Sequence, residues 1–501
     1  MVNSKSRKKP VSIQASFDFE FPVNTKEKQE INSKHASIPW IEVAKGIPYF
    51  ITEHGDTWAP IGQNDAITWP ELAGAYRRKD LASVDAYFSM LTRHGVNCLR
   101  LMLEYCQDGN RYLEKPVGYF KPNMIRMWDD IFSLCEKYSL RVLLTPYDTF
   151  WMWRRWSDHP YNIINNGVCS KRSQWLLCPE MRNAIKNRLY FVTQRWGASG
   201  VIFAWDLWNE ISPSHGGNSA KGFSEFINDI GSFLRKTETE LYGRAHPQTV
   251  SVFSSLLEKN HGLTENIFQH QALDFATIHL YENNTIDNPK NTIEAAISTG
   301  RLTRQVINEI KDQRPFFDSE HGPIKTFSGY RKTLPTEFDE EYFRHMQWAH
   351  FASGGAGGGM RWPYRYPHVL TTGMRAAQLA LSGFVSLISW KHFYRVNLNE
   401  EIKLSDEGLT SFGCGDNEQA IVWLLRTNAI GKNKLLEKNT RAAPFYAFVP
   451  LLRKGSYDIT LWDTVSGKAL RSFEEINNGL LKLSLPGVST DLAIAIKRIN
   501  G

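Results

Sequence analysis

The chain has 501 residues, of which 42% are apolar and 13% aromatic, and its formal net charge is +7 at pH 7. This length allows one large domain and a smaller one, and this apolar content is enough to fill both cores. Part of the positive charge lies in the first ten residues, where no aromatic side chain is interleaved. We interpret that run as a solvated terminus and expect no nucleic-acid partner.

Membrane spans and disulfides are also not expected. No stretch approaches the roughly 18 apolar residues of a transmembrane helix. The basic N-terminus lacks the apolar segment of a signal peptide, which predicts a cytoplasmic protein as the sequence stands, or a secreted or periplasmic one if a leader has been removed. The six cysteines are too sparse for a disulfide framework; Cys169 and Cys178 could pair in an oxidising compartment, but we favour free thiols.

The elements in chain order predict an α/β protein. Residues 1–38 are polar and aperiodic, which predicts a disordered or extended segment. The apolar runs 38–43 and 46–51 predict a hairpin at the floor of a barrel, and strand and helix patterns then alternate to about residue 395, which is typical of a parallel sheet covered by helices. The predicted strands are 58–62, 96–105, 141–148, 201–210, 249–255, 275–281, 315–320 and 358–362.

Eight parallel strands are the number that a closed (β/α)8 TIM barrel requires, so we assign residues 39–395 to such a barrel. Residues 396–501 carry short strands between Gly, Asn and Asp turns and predict a small C-terminal antiparallel β-sandwich. Its tryptophans, Trp423 and Trp462, lie within apolar strand patterns, so we interpret this domain as a structural support rather than a carbohydrate-binding module.

Two glutamates follow short apolar, aromatic-rich strands. Glu210 ends the fourth strand pattern and Glu320 ends the seventh. Catalytic groups of TIM barrels gather at these strand ends, and a pair of carboxyl groups is what cleavage of a glycosidic bond needs. The pattern indicates a glycoside hydrolase. Glu104, near the end of the second strand, is interpreted as a surface or rim charge.

The order of these residues resembles a known family. Asn209-Glu210 after strand four, His279-Leu-Tyr281 after strand six and Glu320 on strand seven resemble clan A glycoside hydrolases, most closely the family 5 cellulases, mannanases and their relatives. The resemblance covers roughly residues 45–395.

Two further positions match that family, Arg100 on strand two and Trp362 on strand eight. The resemblance implies that Glu210 is the acid/base and Glu320 the nucleophile of a retaining mechanism. Such a mechanism places the carboxyl groups about 5 Å apart and passes through a covalent glycosyl-enzyme.

The chemistry of the two glutamates predicts opposite protonation states. Glu210 must carry a proton, so we expect Trp205 and Trp208 to raise its pKa by providing apolar surroundings. Glu320 must be ionised, and Arg100 is a permanent cation suited to keep it so.

The neighbouring polar residues predict supporting roles. Asn209 can offer its amide to a sugar hydroxyl, and Tyr281 can donate to the nucleophile. His279 is expected to contact the sugar or support the nucleophile, with a buried core histidine as the alternative. Asp206 faces inwards by strand alternation and is expected to be a buried partner of Arg100 or His279.

Further residues predict a sugar-binding cleft. Trp362 is expected to form the floor of the subsite that binds the reacting sugar. Many relatives carry a histidine in the segment after strand three, where this chain has Asp148. We expect Asp148 to bind a sugar hydroxyl beside an aromatic wall that includes Trp151 and Trp153. The glycine-rich run 353–359 lacks the Lys and the Ser/Thr of a phosphate loop, so we expect close backbone packing there instead.

These patterns predict a retaining β-glycosidase that acts on an oligo- or polysaccharide and needs no metal and no cofactor. Two alternatives remain open: a transglycosylase that uses the same residues, and a catalytically inactive barrel that binds a glycan. Mannan, β-glucan and β-galactoside backbones are all compatible with the sequence, as are endo and exo modes of action.

Overall fold

The computed structural model describes residues 38–499 except 45, 108, 260–262, 324–333 and 364–369, so the predicted N-terminal segment lies outside the described residues apart from its last position. The described chain begins with a three-stranded antiparallel sheet formed by β1 (Ile41–Val43), β2 (Phe50–Thr52) and β3 (Thr57–Trp58). The predicted hairpin is therefore confirmed. The prediction that the first barrel strand starts at residue 58 is wrong, because Trp58 pairs with Phe50 in this sheet.

The next eight strands form the predicted barrel. Each pairs with its neighbours in parallel, the last strand pairs with the first, and the gap between the fifth and sixth is bridged by Phe253 and His279. The strands are β4 (Gly62–Asn64), β5 (Cys98–Met102), β6 (Arg141–Thr145), β7 (Ile202–Asp206), β8 (Gln248–Thr249), β9 (Ala276–Leu280), β10 (Phe316–His321) and β11 (Met360–Arg361).

Helices surround this barrel, and their local sequences explain their ends. The helix Pro122–Tyr138 begins with a proline, at a position where the missing N–H leaves no hydrogen bond unmade. It ends where Ser139 takes a left-handed conformation. The α-helices are α1 (Pro70–Ala73), α2 (Leu81–Arg93), α3 (Pro122–Tyr138), α4 (Thr149–Arg154), α5 (Pro179–Trp196), α6 (Phe223–Tyr242), α7 (Ser254–Lys259), α8 (Thr264–Phe268), α9 (Thr292–Glu309), α10 (Thr336–Ala352) and α11 (Thr372–Val385).

The glycine-rich run before β11 packs tightly, as predicted. A Cβ atom added to Gly357 would lie 2.3 Å from the carbonyl oxygen of Pro60. Gly359 has a φ of +70°, a conformation that side chains with a Cβ rarely adopt. The run therefore lets the last barrel strand reach the first, which closes the barrel.

The C-terminal part forms two antiparallel sheets, as predicted. The turn at residues 464–467 joins two of the strands in a hairpin. The six-stranded sheet has the order β12 (Val396–Asn397), β14 (Leu409–Gly415), β15 (Gln419–Arg426), β20 (Asp491–Arg498), β17 (Gly455–Asp463) and β18 (Lys468–Asn477), and the three-stranded sheet has the order β13 (Lys403–Leu404), β16 (Phe445–Val449) and β19 (Leu481–Leu485).

Strand β15 is buried on both faces, because it lies between the sandwich core and the barrel. Val422 and Leu424 belong to the core between the two sheets. The alternate residue Trp423 is fully buried in a second cluster together with Trp348 of α10 and Phe384 of α11. The C-terminal sheet thus covers the outer surface of barrel helices, and the expectation that Trp423 is a core residue is confirmed.

The cysteines and the helices bear on two further sequence predictions. All six cysteines have free thiols, and Cys169 and Cys178 do not form a disulfide, as we favoured. No helix in the described part of the chain combines the length and the apolar character that a membrane crossing requires.

Candidate active site

A cavity of 430 Å³ lies among the loops that follow the barrel strands. Both predicted catalytic glutamates line it, together with Asp148, Asn209 and Trp362. The full set of lining residues is Met102, Tyr105, Gln107, Asp148, Thr149, Phe150, Trp151, Trp153, Arg154, Asn209, Glu210, Ser212, Ser214, His215, Phe253, Ser255, Leu256, Glu320 and Trp362.

The buried guanidinium of Arg100 contacts residues at the ends of three other strands, β4, β7 and β10. Its Nη1 donates hydrogen bonds to Asn64 Oδ1 at 3.0 Å and to Glu320 Oε2 at 2.9 Å. Its Nη2 donates to Asp206 Oδ2 at 2.8 Å and to Asn209 Oδ1 at 2.6 Å. Burial alone would lower the pKa of Arg100, but the adjacent carboxylates raise it overall, so the group stays charged. The predicted pairing of Asp206 with Arg100 is confirmed.

Glu210 and Glu320 both lie close to the same nitrogen of His279. His279 Nδ1 lies 2.8 Å from Glu210 Oε1 and 3.6 Å from Glu320 Oε2. One carboxyl oxygen of each glutamate and one nitrogen of His279 lie within 4.8 Å of one another. Tyr281 donates its hydroxyl to Glu320 Oε1 at 2.7 Å, as predicted. The carboxyl groups are therefore close enough to act on the same bond.

The pKa shifts of the two glutamates have opposite directions. Burial raises the pKa of Glu210, but the hydrogen bond and charge of His279 and the charge of Arg100 lower it overall. Burial also raises the pKa of Glu320, and there the charge of Glu210 adds to the rise, so the net direction is upwards despite His279 and Arg100. In this arrangement the pair holds its proton more readily on Glu320 than on Glu210.

This direction is the reverse of the sequence prediction, and the tryptophans explain the difference. The indole N–H of Trp205 donates to Glu238 of α6 at 2.9 Å, so this side chain lies outside the barrel sheet. Trp208 donates to His215 at 3.2 Å. Neither tryptophan lines the cavity beside Glu210, and its carboxyl group contacts His279 instead.

The backbone at Glu210 is held in an unusual conformation. Its φ is +48°, in the left-handed region, which costs a non-glycine residue of order 1 kcal/mol. The amide of Glu210 donates to Ser251 Oγ at 3.0 Å, and that hydroxyl donates to Asp206 Oδ2 at 2.8 Å. The side chain of Thr149 also donates to the carbonyl of Asn209 at 2.6 Å. These contacts fix the turn that directs Glu210 into the cavity.

Two of the predicted sugar-binding residues, Asp148 and Trp362, line the cavity. Asp148 Oδ1 accepts from the amide of Trp151 at 3.1 Å and so caps α4, and its Oδ2 is buried. Burial raises the pKa of Asp148 well above its ordinary value, so this carboxyl can carry a proton and donate. Trp362 packs edge-on against Trp69, with ring centroids 4.9 Å apart, and borders the cavity beside Glu320.

Comparisons with known proteins bear on the fold. No family model and no curated protein matches the chain. Among solved structures, a glycoside hydrolase is similar over 93% of this chain and 99% of its own, at 13% identity and a TM-score of 0.57. A glycoside hydrolase family 5 structure from Bacteroides vulgatus covers 93% and 95%, at 11% identity and a TM-score of 0.58. The chain has the fold of a family 5 glycoside hydrolase. The predicted resemblance is thus confirmed for the architecture.

Within this family 5 fold, three predicted residues lie behind the cavity rather than in it. Arg100, His279 and Tyr281 are at most 2% exposed and contact the glutamates. Because the side chain of His279 is fully buried, it is placed to orient carboxyl groups and not to touch a sugar. Asn209 lines the cavity, but Arg100 and Thr149 engage its amide, which leaves one N–H for a ligand.

Glu210, His279 and Glu320 are also the kind of group that could hold a metal ion. Both oxygens of Glu320 already accept hydrogen bonds, from Tyr281 and from Arg100. A divalent cation would have to lie beside the guanidinium charge of Arg100, which disfavours it. The donor set therefore suits acid–base chemistry better than metal binding.

Sequence reasoning missed four residues of the site: Asn64, Thr149, His215 and Ser251. Asn64 ends β4 and bonds Arg100, so its strand-end position was a usable signal. Thr149 begins α4 next to the predicted Asp148. Ser251 and His215 lie in loops after the barrel strands, where their residue types alone carry no signal.

Proposed function

We propose that this chain is a retaining glycoside hydrolase that cleaves β-glycosidic bonds of an oligo- or polysaccharide. The observation that supports this most directly is the separation of less than 4.8 Å between oxygens of Glu210 and Glu320 at one cavity. Retaining enzymes hold their two carboxyl groups about 5–5.5 Å apart, whereas inverting enzymes need about 6.5–9.5 Å to admit a water molecule.

The proposed first step is a displacement by Glu320. Its carboxylate attacks the anomeric carbon while Glu210 donates a proton to the departing glycosidic oxygen, so one C–O bond forms as the other breaks. Arg100 and Tyr281 hold the two oxygens of Glu320 and orient them towards the cavity.

This step needs the proton on Glu210, although His279 lowers the pKa of that group. A glycosidic oxygen offers only lone pairs, so beside Glu210 it favours the protonated acid. The positive charge that develops on the sugar favours an ionised Glu320 in the same way. We therefore propose that substrate binding moves the pair's proton to Glu210, which keeps its acid/base role.

The proposed second step hydrolyses the glycosyl-enzyme. Glu210, now ionised, takes a proton from water as the water attacks the anomeric carbon, and Glu320 leaves as a carboxylate. Arg100 favours that departure, because it is a permanent cation 2.9 Å from Glu320 Oε2.

A panel of aryl β-glycosides and polysaccharides, including mannan and β-glucan, tests this proposal with the purified full-length chain. We expect turnover of at least one substrate, and early NMR spectra should show product with the anomeric configuration of the substrate. Product of inverted configuration would overturn the retaining mechanism.

Variants separate the enzyme from a glycan-binding barrel. Glu210→Gln and Glu320→Gln should abolish turnover while sugar binding is kept. If the unmodified protein turns over no glycoside and still binds glycans, the hydrolase proposal is wrong.

A further inference from the structure

His215 lines the cavity but has no role in the two steps described above. It ends the short 3-10 turn Pro213–His215 in the loop after β7, the strand that leads to Glu210. Its ring packs among tryptophans, with centroid distances of 5.0 Å to Trp175 and 5.6 Å to Trp153. The ring is therefore held in place at the wall of the cavity.

A hydrogen bond sets the tautomer of this histidine. The indole Nε1 of Trp208 lies 3.2 Å from His215 Nδ1. An indole N–H can only donate, so Nδ1 accepts, and the proton of a neutral imidazole must then reside on Nε2. Burial lowers the pKa of His215 to about 4, so the ring is neutral above about pH 5.

The Nε2–H group is left for a ligand. Within the described part of the chain it has no hydrogen-bond partner, and it is not among the buried polar atoms that lack one, so it reaches the space of the cavity. His215 thus presents a fixed donor that stays uncharged over the neutral pH range.

The position of His215 relative to the glutamates indicates which sugar it would meet. His215 lies in the loop after β7 that also carries Glu210, whereas Glu320 lies on β10, three strands further around the barrel. His215 therefore lies on the side of Glu210. In the proposed function Glu210 protonates the leaving oxygen, so groups on its side face the leaving sugar and not the sugar bound to Glu320.

We propose that His215 is a specificity-determining residue of the leaving-group subsite, where its Nε2–H donates a hydrogen bond to an oxygen of the departing sugar and Trp153 borders the same space. This inference rests on the proposed hydrolase function. It implies that the chain prefers a saccharide leaving group to one without hydroxyls, and that the same contact binds an acceptor sugar when the glycosyl-enzyme is resolved by transfer.

The test compares two leaving groups in His215→Phe, which keeps an aromatic ring but loses the donor. For a β-linked oligosaccharide we expect kcat/KM to fall about 10- to 100-fold, which is the effect of one lost hydrogen bond in a buried site. For a nitrophenyl glycoside of the same sugar we expect a change of less than about 3-fold, because its leaving group has no hydroxyl to accept from Nε2. The ratio of the two losses does not depend on how much of the variant is folded.

Three further measurements sharpen the test. His215→Gln, which can place an amide N–H near the position of Nε2, should recover part of the oligosaccharide activity. The loss in His215→Phe should be constant between pH 5.5 and 8, since the native ring is neutral throughout that range. The same substitution at the exposed His392, outside the cavity, should change neither substrate.

Equal losses on both substrates, or no loss on either, would overturn the role of His215 while leaving the proposed function intact. A native chain that turns over no glycoside would instead overturn the proposed function.

Discussion

Arg100 and Arg188 are both buried and each pairs with two carboxyl groups, but only the partners of Arg100 include a residue that lines the cavity, Glu320. Arg188 of α5 forms ion pairs with Glu104 Oε2 at 3.0 Å and with Glu114 Oε1 at 2.8 Å. Arg100 binds Asp206 and Glu320 at similar distances. Both guanidinium groups are fully buried, so burial and ion pairing alone do not distinguish them.

The difference lies in the carboxyl oxygens. All four oxygens of Glu104 and Glu114 accept hydrogen bonds, from groups that include His159 and Tyr161. Glu210 Oε2, by contrast, accepts none from the described residues, and its side chain is 24% exposed at the cavity. A buried cluster in which every carboxyl oxygen accepts a hydrogen bond stabilises the fold. A carboxyl oxygen that accepts no hydrogen bond at a cavity is available to react.

Glu104 does not lie where the sequence predicted. Glu104 was expected at the surface or rim, but it is 2% exposed. The physical reason is Arg188, which reaches Glu104 from a helix far away in sequence and lowers its pKa against the effect of burial. A strand-end glutamate therefore needs its tertiary partner to be known before it can be interpreted.

The largest expected effect comes from substituting Glu320, the proposed nucleophile at the cavity. Glu320→Gln should reduce kcat by at least about 10⁴-fold, because an amide cannot form the glycosyl-enzyme. Stopped assays on the preferred substrate check the loss, with calorimetry to show that the variant is folded. Retention of more than a tenth of the activity would remove Glu320 from the reaction.

The second largest effect comes from substituting Arg188, which pairs with Glu104 and Glu114 away from the cavity. Arg188→Met leaves Glu104 and Glu114 buried without their cation, and should lower the free energy of unfolding by about 3–5 kcal/mol. Denaturant unfolding measures this. The activity of the fraction that remains folded should stay close to native. A stable but inactive variant would contradict the assignment of this cluster to the fold.

A third, smaller effect concerns the positioning of Glu210. Ser251→Ala removes the acceptor of the Glu210 amide and should lower kcat about 10-fold with little change in KM, because it relaxes the turn that orients the acid. Ser251→Thr retains a hydroxyl and should recover most of the rate. A loss confined to KM would argue against a positioning role.

The smallest effect is a dependence of stability on pH. The folded pKa of Glu104 is depressed, so its stabilising contribution is present above its unfolded pKa, about 4.3, and is lost as the pH falls through the folded value. Tm should therefore fall between pH 5 and 3, and Glu104→Gln should flatten that decline. Glu474→Gln, at an exposed position, serves as the control and should leave the profile unchanged.

The sequence by itself determined the barrel, the C-terminal sandwich and the position of the glutamates. Parallel strands bring their carboxyl ends to one edge, so Arg100, Glu210 and Glu320 had to meet once their strands were numbered. Strand alternation likewise placed Asp206 inside the barrel, where it binds Arg100.

Only the tertiary structure decided the directions in which the pKa values of these groups are shifted. Ser251, which holds the Glu210 amide, lies 41 residues away from it in sequence, and His279 lies 69 residues away. The direction of a pKa shift depends on such distances, to a fraction of an ångström, between segments that the sequence does not relate. The tryptophans next to Glu210 in sequence form hydrogen bonds elsewhere, and a histidine from another strand lowers the pKa of Glu210 against the effect of burial.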